Sequence, residues 1–95
     1  MDKILSNISE QEIDKLHRTI GLHIKQLREE KSISQLEIAL AIGIKSVAFY
    51  SNCENNKHNK HFNIEHLYKI CKFLNITLSS FFSHTEQISS SDFSK

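Results

Sequence analysis

Three residues that can cap a helix, Ser9, Ser34 and Asn63, each stand immediately before an apolar segment with helical spacing. Ser9 and Ser34 are each followed three residues later by a glutamate, which completes a capping box in both places. No segment of the chain shows the strict alternation of apolar and polar residues that predicts a strand. A sequence with these signals is expected to fold as an all-α domain.

The first helix is expected to span about residues 10 to 31, either as one rod or as two helices that meet at Gly21. Glycine in a helix interior costs about 1 kcal/mol, which is why both versions are open. The apolar residues of this segment recur every three or four positions and so share one face. They are Ile13, Leu16, Ile20, Ile24 and Leu27.

Two short helices are predicted next. The first begins after Ser34 and is stopped by Gly43, and the second spans roughly residues 46 to 54. Asn56 follows the second helix and tolerates the left-handed conformation that a helix end requires.

The remaining chain predicts two helical segments and a tail. Asn63 caps a helix that Asn75 breaks, and a final turn from Thr77 to Phe82 carries the last apolar cluster. Residues 84–95 are rich in serine and poor in apolar side chains, so we expect a disordered tail there. These signals divide the chain into an N-terminal helical extension over residues 1–19, a domain over residues 20–83, and the tail.

Composition narrows the class of protein. The 95 residues are enough for one domain, and the absence of Pro together with only two Gly argues against β-sandwiches and glycine-rich nucleotide loops. No apolar run approaches the ~20 residues of a membrane span and no signal peptide is visible, so we expect a soluble, cytoplasmic protein that binds no membrane. In that compartment Cys53 and Cys71 are expected to be reduced thiols that pack as small hydrophobic residues.

The formal net charge of +1 hides a segregation of charge along the chain. Residues 18–74 carry nine Lys and Arg against five Glu, a net of +4, whereas the two ends are acidic. A mildly basic middle suits a surface that faces phosphate, although the same balance occurs in proteins that bind no nucleic acid.

Two short capped helices joined by a turn at Gly43, between flanking helices, have the sequence shape of a helix-turn-helix unit. In such a unit the first short helix lies across the DNA backbone and the second lies in the major groove.

The residues of this unit resemble the Cro/C1-type (XRE) helix-turn-helix family of bacterial and phage repressors. Ser34-Gln35 looks like the family's opening of the first short helix, with Ala39 packed against the second helix and Gly43 in the turn. Residues 51–57, Ser-Asn-Cys-Glu-Asn-Asn-Lys, resemble the family's end of the second helix. Two departures are an interval from Gly43 to Glu54 that is one residue longer than usual, and a cysteine where an aromatic residue is common.

The resemblance covers about residues 20–82. It implies a five-helix, lambda-repressor-like domain that binds double-stranded DNA in a sequence-specific way and regulates transcription, with repression expected. Repressors of this type usually bind as homodimers to two half-sites about one helical turn apart.

The resemblance also implies which residues contact DNA. Gln35 is expected to bond a phosphate or to orient a neighbouring side chain, and Lys45 and Ser46 are expected to reach a phosphate or a base edge. A polar basic loop follows the second helix and is expected to clamp the phosphate backbone; the alternative is a loop that only aids solubility. Its expected contacts are Lys57, His58, Lys60 and His61.

Spacing along the second helix separates a core face from a DNA face. Phe49, Tyr50 and Cys53 are spaced to face the first short helix, and core packing is expected for at least two of them. We expect the opposite face to read an A·T-leaning site, because Asn can pair with adenine and small apolar groups can contact the thymine methyl. Those residues are Val47, Ala48, Ser51 and Asn52, with Asn55 beyond them.

Metal binding and catalysis are the weaker alternatives. His58 and His61, with Cys53 and His66 nearby, form a possible ligand set, but one lies on a predicted core face and two lie in a loop. No nucleophile elbow, phosphate-binding loop or pair of carboxylates predicts an enzyme, and no cofactor or small-molecule substrate is implied.

Two questions about partners stay open at this point. The apolar residues Ile4, Leu5, Ile8, Ile13 and Leu16 either fold back on the domain or pair with a second copy, alone or together with the Phe81 and Phe82 region. The alternative function is an antitoxin or adaptor whose main partner is another protein and whose helix-turn-helix is autoregulatory or vestigial.

Overall fold

The computed structural model describes residues 8–93, with side chains described for residues 8–85. The helices in chain order are α1 (Glu10–Glu30), α2 (Gln35–Ala41), α3 (Val47–Glu54), α4 (Ile64–Leu74) and α5 (Leu78–Phe93). Residues 8–93 contain no strand, so the all-α prediction is confirmed. None of the helices in this described part is both long enough and apolar enough to cross a membrane.

α1 is one continuous helix of 21 residues, not two. Its predicted capping box is present: the Glu12 N–H donates to Ser9 Oγ and the Ser9 N–H donates to the Glu12 carboxylate, both at 3.1 Å. Gly21 lies in the middle of the helix because a Cβ there would collide with the backbone carbonyl oxygen of Glu54. The missing side chain lets α1 lie directly against the end of α3.

The other predicted caps are also found. Ser34 accepts a hydrogen bond from the Glu37 N–H at 3.0 Å and begins α2. Asn63 accepts from the His66 N–H at 2.7 Å, and the Asn63 N–H donates back to His66 Nδ1 at 3.1 Å, which closes the first turn of α4. Short polar signals therefore set where these helices begin.

The turn between α2 and α3 depends on Gly43. Its φ of +83° is left-handed, a conformation that glycine adopts without a steric penalty. Ile44 follows and is buried, and its N–H donates to the Ala39 carbonyl at 2.8 Å. The turn is thus tied back onto α2, which sets the direction in which α3 leaves.

The core is built from apolar side chains of all five helices and of the segments between them. Both cysteines are free and buried in it, as predicted, and burial raises the pKa of each thiol. The buried set is Ile20, Ile24, Ile38, Ala39, Ile42, Ile44, Tyr50, Cys53, Phe62, Leu67, Ile70, Cys71, Leu74 and Phe81.

α5 runs to Phe93, past the boundary that the sequence predicts at residue 84. The physical reason starts with Thr85, which is buried and donates its hydroxyl hydrogen to the Phe81 carbonyl at 2.8 Å. The hydroxyl oxygen of Thr85 also lies 2.7 Å from Nδ1 of His23. Because its own hydrogen is already donated to Phe81, this oxygen accepts the hydrogen of Nδ1. Thr85 therefore packs against α1 although the sequence around it is polar, while the division of the chain at residues 83 and 84 stays a prediction; residues 94–95 lie outside the described residues.

The N-terminal part of α1 leaves apolar side chains uncovered. Ile13 and Leu16 are 46% and 47% exposed, and Ile8 just before the helix is exposed too. Residues 8–16 therefore add no further layer to the core; Ile4 and Leu5 lie outside the described residues. Phe81, one candidate for a contact with a second copy, is instead buried in the core, because it packs against His23 with ring centroids 4.5 Å apart.

Candidate nucleic-acid interface

α3 has an inner and an outer face, divided as the sequence spacing predicts. Tyr50 and Cys53 are buried, and Phe49 is half-buried against the core. Val47, at 42% exposure, and Ala48 point away from the core in the first turn. The first turn of α3 is thus free to meet another molecule.

Polar side chains continue this outer face into the second turn. Ser51 and Asn52 are half-buried, and they follow Val47 and Ala48 after four residues, which keeps the four on one side of the helix. Asn55, one turn further on, folds back and donates from Nδ2 to the Ser51 carbonyl at 3.0 Å. The face toward solvent therefore combines two small apolar side chains with two polar ones.

The start of α3 brings Lys45 and Ser46 next to this face. Ser46 is the N-cap, and its Oγ accepts from the Phe49 N–H at 3.1 Å. Lys45 is exposed immediately before it, so its charge lies at the end of α3 that carries Val47 and Ala48.

Gln35, the predicted contact on α2, is half-buried and held by the end of α3. Its Nε2 donates to Oε1 of Glu54 at 3.0 Å. The resemblance implied a side chain that bonds a phosphate or orients a neighbour, and the structure gives it a buried protein acceptor. This bond links the first residue of α2 to the last residue of α3.

Glu54 is the centre of a buried polar cluster. Its side chain is 0% exposed, and the Arg28 guanidinium donates to it through Nε and Nη2, both at 2.9 Å. The Tyr50 hydroxyl donates to the same carboxylate at 2.8 Å. Arg28 also donates from Nη1 to the Ile33 carbonyl at 2.8 Å, in the segment that leads into α2. One carboxylate thus fastens α1, α2 and α3 together.

The charges in this cluster are stabilised by one another. Burial alone would raise the pKa of Glu54, but hydrogen bonds from Arg28, Gln35 and Tyr50 hold that pKa below its ordinary value. Burial and the neighbouring carboxylate raise the pKa of Tyr50, so its hydroxyl stays a donor. The ion pair and its donors therefore hold the inner side of α3 rigidly while its outer side stays open.

The loop that follows α3 carries the other predicted contacts, Lys57, His58, Lys60 and His61, all of them exposed. Asn56, His58 and Asn59 have positive φ values of 54°, 56° and 57°. The Lys57 N–H donates to the Asn52 carbonyl at 2.8 Å, which makes the loop a direct continuation of α3.

The loop also touches α1. The rings of His61 and His17 are stacked, with centroids 3.7 Å apart and 14° between their planes. Asn56 donates from Nδ2 to Oδ1 of Asp14 at 2.9 Å. The N-terminal part of α1 therefore supports the loop.

Sequence reasoning missed the Glu54 cluster and the contacts of Asp14 and His17. One signal was present: Arg28 follows Ile24 by four residues and Gly21 by seven, so a charged residue falls on the core face of α1. No comparable signal marks Asp14 or His17, which lie among other polar residues near the start of α1.

No group of three or more His, Cys, Asp or Glu side chains is arranged to hold a metal ion in the described part of the chain. His58 and His61 lie in the loop, Cys53 points into the core, and His66 caps α4. The residues that the sequence suggested as ligands are thus dispersed.

The structure brings most of the predicted contacts to one contiguous region: the outer face of α3, the residues before it and the loop after it. In comparisons with known proteins, no curated protein and no solved structure matched the chain. A family model described as Helix-turn-helix matches residues 24–81, more than half of the chain and all of α2, α3 and α4. The chain belongs to this XRE-type family of helix-turn-helix, DNA-binding regulators.

Proposed function

We propose that the protein is a sequence-specific transcriptional repressor that inserts α3 into the major groove of double-stranded DNA. The observation that carries this proposal is the division of α3, whose inner side is locked by Glu54 while its outer side is exposed at Val47 and Ala48. A domain that occupies an operator blocks access to it by exclusion alone, so repression requires no further chemistry.

In this proposal base edges are read by α3 and phosphates are bound by its flanks. Asn52 pairs with adenine, Val47 and Ala48 contact thymine methyl groups, and Ser51 accompanies them, which favours an A·T-leaning operator. Lys45 and Ser46 contact phosphate or a base edge at the start of α3. The loop contacts phosphates through Lys57, His58, Lys60 and His61.

Gln35 has a narrower role than the sequence suggests. One N–H of its amide is engaged by Glu54, so only the second N–H of that nitrogen is available to a phosphate. We therefore assign Gln35 to the phosphate backbone beside α2 and not to the bases.

We also propose that the repressor binds as a homodimer through the N-terminal part of α1. Ile13 and Leu16 are three residues apart, share a face and are half exposed, which is the condition for pairing with a second apolar helix. Light scattering at increasing concentration is expected to give the mass of a dimer, and Leu16→Asp is expected to give a monomer. A monomeric mass for the unaltered protein at high micromolar concentration contradicts the dimer.

A second candidate function is a protein-interaction module, such as an antitoxin or an adaptor. Two exposed apolar pairs with i, i+4 spacing favour it: Leu36 with Leu40 on α2, and Ile64 with Tyr68 on α4. These residues lie outside the surface assigned to DNA and are available to a protein partner.

Selection of bound duplexes from a random library tests the two candidates together. The repressor proposal predicts an enriched A·T-leaning sequence with two half-sites whose centres are about 34 Å apart. Absence of any enriched or retained duplex at low salt contradicts it and favours the protein-interaction module.

A further inference from the structure

The first half of α1 lies outside the matched family region, which begins at residue 24, yet it touches the loop that carries the proposed phosphate contacts. Asp14 accepts a hydrogen bond from Asn56, 42 residues away, at 2.9 Å. One turn later along α1, His17 stacks on His61 at a ring distance of 3.7 Å. Two side chains of one rigid helix thus hold both ends of the segment 56–61.

This loop needs support from outside itself. Asn56, His58 and Asn59 all have left-handed backbones, which L-residues adopt at a cost. Within the loop the Lys60 N–H donates to the Lys57 carbonyl at 3.0 Å, but the side chains of Lys57 and Lys60 extend into solvent. A loop built in this way keeps one shape only where a neighbouring element fixes it.

Asp14 is itself held by a neighbour on α1. Asp14 uses Oδ2 to pair with Arg18 at 3.0 Å, which leaves Oδ1 aimed at Asn56. Burial, followed by the charge of His61, lowers the pKa of His17, while Asp14 acts in the opposite direction. An uncharged His17 ring packs flat on its neighbour without like-charge repulsion.

We propose that Asp14 and His17 are positioning residues: they fix Asn56 and His61 so that Lys57 and Lys60 face the DNA backbone. This inference rests on the proposed DNA binding. It assigns a role in phosphate binding to a part of α1 that the family match does not include.

An electrostatic effect of Asp14 and a positioning role of Asp14 predict opposite changes in DNA affinity when its carboxylate is removed. Asp14→Ala removes a negative charge beside the loop, so electrostatics alone would strengthen DNA binding, whereas loss of positioning weakens it. Glu10→Ala makes the same change of charge one turn earlier and is the matched control. Asp14→Asn keeps an oxygen acceptor for Asn56, and His17→Phe keeps a ring on His61, so both are the conservative rescues of Asp14→Ala and His17→Ala.

Two readouts are measured on the full chain. The first is affinity for a labelled duplex of random sequence over a salt series. We expect Asp14→Ala and His17→Ala to bind about three- to tenfold more weakly, with a salt slope smaller by about 1, and the rescues and Glu10→Ala to bind as tightly as the unaltered protein or more tightly. Equal or tighter binding by Asp14→Ala and His17→Ala, with an unchanged slope, overturns the proposal.

The second readout needs no DNA: the hydrogen exchange rates of the Lys57 and Lys60 amides, which are both bonded in the ordered loop. We expect about tenfold faster exchange in the two alanine variants and unchanged exchange in the rescues. Unchanged exchange in Asp14→Ala overturns positioning even where DNA binding is present. Failure of the unaltered protein to bind any duplex, with the exchange result as expected, rejects the proposed function and leaves the loop contact established.

Discussion

The carboxylate of Glu54 and the guanidinium of Arg28 form a two-bond ion pair inside the protein, with both N···O distances at 2.9 Å. The pair joins the last residue of α3 to the last turn of α1, and Gln35 and Tyr50 donate to the same carboxylate. The helix assigned to the major groove is therefore oriented by electrostatics as well as by apolar packing.

Removing the charge of Glu54 is expected to lower the stability of the fold. Glu54→Gln leaves the Arg28 guanidinium buried without its anion, which costs about 3–5 kcal/mol of unfolding free energy. The exposed pair of Glu65 and Lys69 supplies the control, since Glu65→Gln is expected to leave the unfolding free energy nearly unchanged. Urea unfolding of both variants measures the difference, and equal losses contradict the central role of Glu54.

A second prediction concerns the contact between α1 and α3. Gly21→Ala raises helix propensity by about 1 kcal/mol, but the added methyl group meets the Glu54 carbonyl oxygen. We expect a net loss of about 1–3 kcal/mol, because the helices must move apart. A higher melting temperature for Gly21→Ala is the opposite result and means that the helices do not approach this closely.

Gly43 is the control for Gly21, since a Cβ there meets nothing within 4 Å and only the left-handed φ of +83° opposes a side chain. Gly43→Asn is expected to lower the free energy of unfolding less than Gly43→Ala does, because asparagine adopts the left-handed conformation more readily than alanine.

Acidification is expected to weaken the contact between α1 and α5. The pKa of His23 is lowered by burial and then by His84, against a smaller opposite effect of Glu30. A histidine whose folded pKa lies below its unfolded value of about 6.5 binds fewer protons when folded. The neutral ring of His23 therefore contributes fully to stability above about pH 6.5, and this contribution is lost as the pH falls from there through the folded pKa.

NMR titration of the His23 ring measures this pKa directly, and a value at or above about 6.5 contradicts the expectation. Urea unfolding at about pH 7.5 and about pH 5.5 gives the stability change. His23→Asn keeps a donor where Nδ1 stands and is expected to flatten this pH dependence.

Different substitutions are expected to change sequence preference and overall DNA affinity independently. Asn52→Ala is predicted to change which sequence is preferred, with a loss of about 1–3 kcal/mol at the selected operator and little change on random DNA. Lys57→Ala and Lys60→Ala are predicted to weaken binding to all duplexes about equally and to lower the salt slope by about 1 each. Competition binding with selected and random duplexes distinguishes the two outcomes.

Local patterns in the sequence predicted the parts of the structure that short-range chemistry determines. The caps at Ser9, Ser34 and Asn63 and the turn at Gly43 depend on residues within a few positions of one another. The division of α3 into two faces likewise follows from helical spacing.

Contacts between distant segments were not predictable in the same way. The spacing of Arg28 places it on the core face of α1, but no sequence signal pairs it with Gln35 and Glu54, and only the folded chain brings the three together. The contact between Thr85 and His23 was not predictable either, because the sequence after Phe82 is polar and the two residues are distant in the chain.

Binding of duplex DNA by an outer-face variant of α3 tests the central claim most directly. Ala48→Glu puts a negative charge on the exposed first turn of α3. The control, Ser79→Glu, puts the same charge on the exposed first turn of α5, the helix that follows α4. With both variants folded as judged by circular dichroism, Ala48→Glu is predicted to bind the selected operator at least about 30-fold more weakly, and Ser79→Glu to bind like the unaltered protein. Equal affinity of Ala48→Glu and the unaltered protein would contradict insertion of α3 into the major groove.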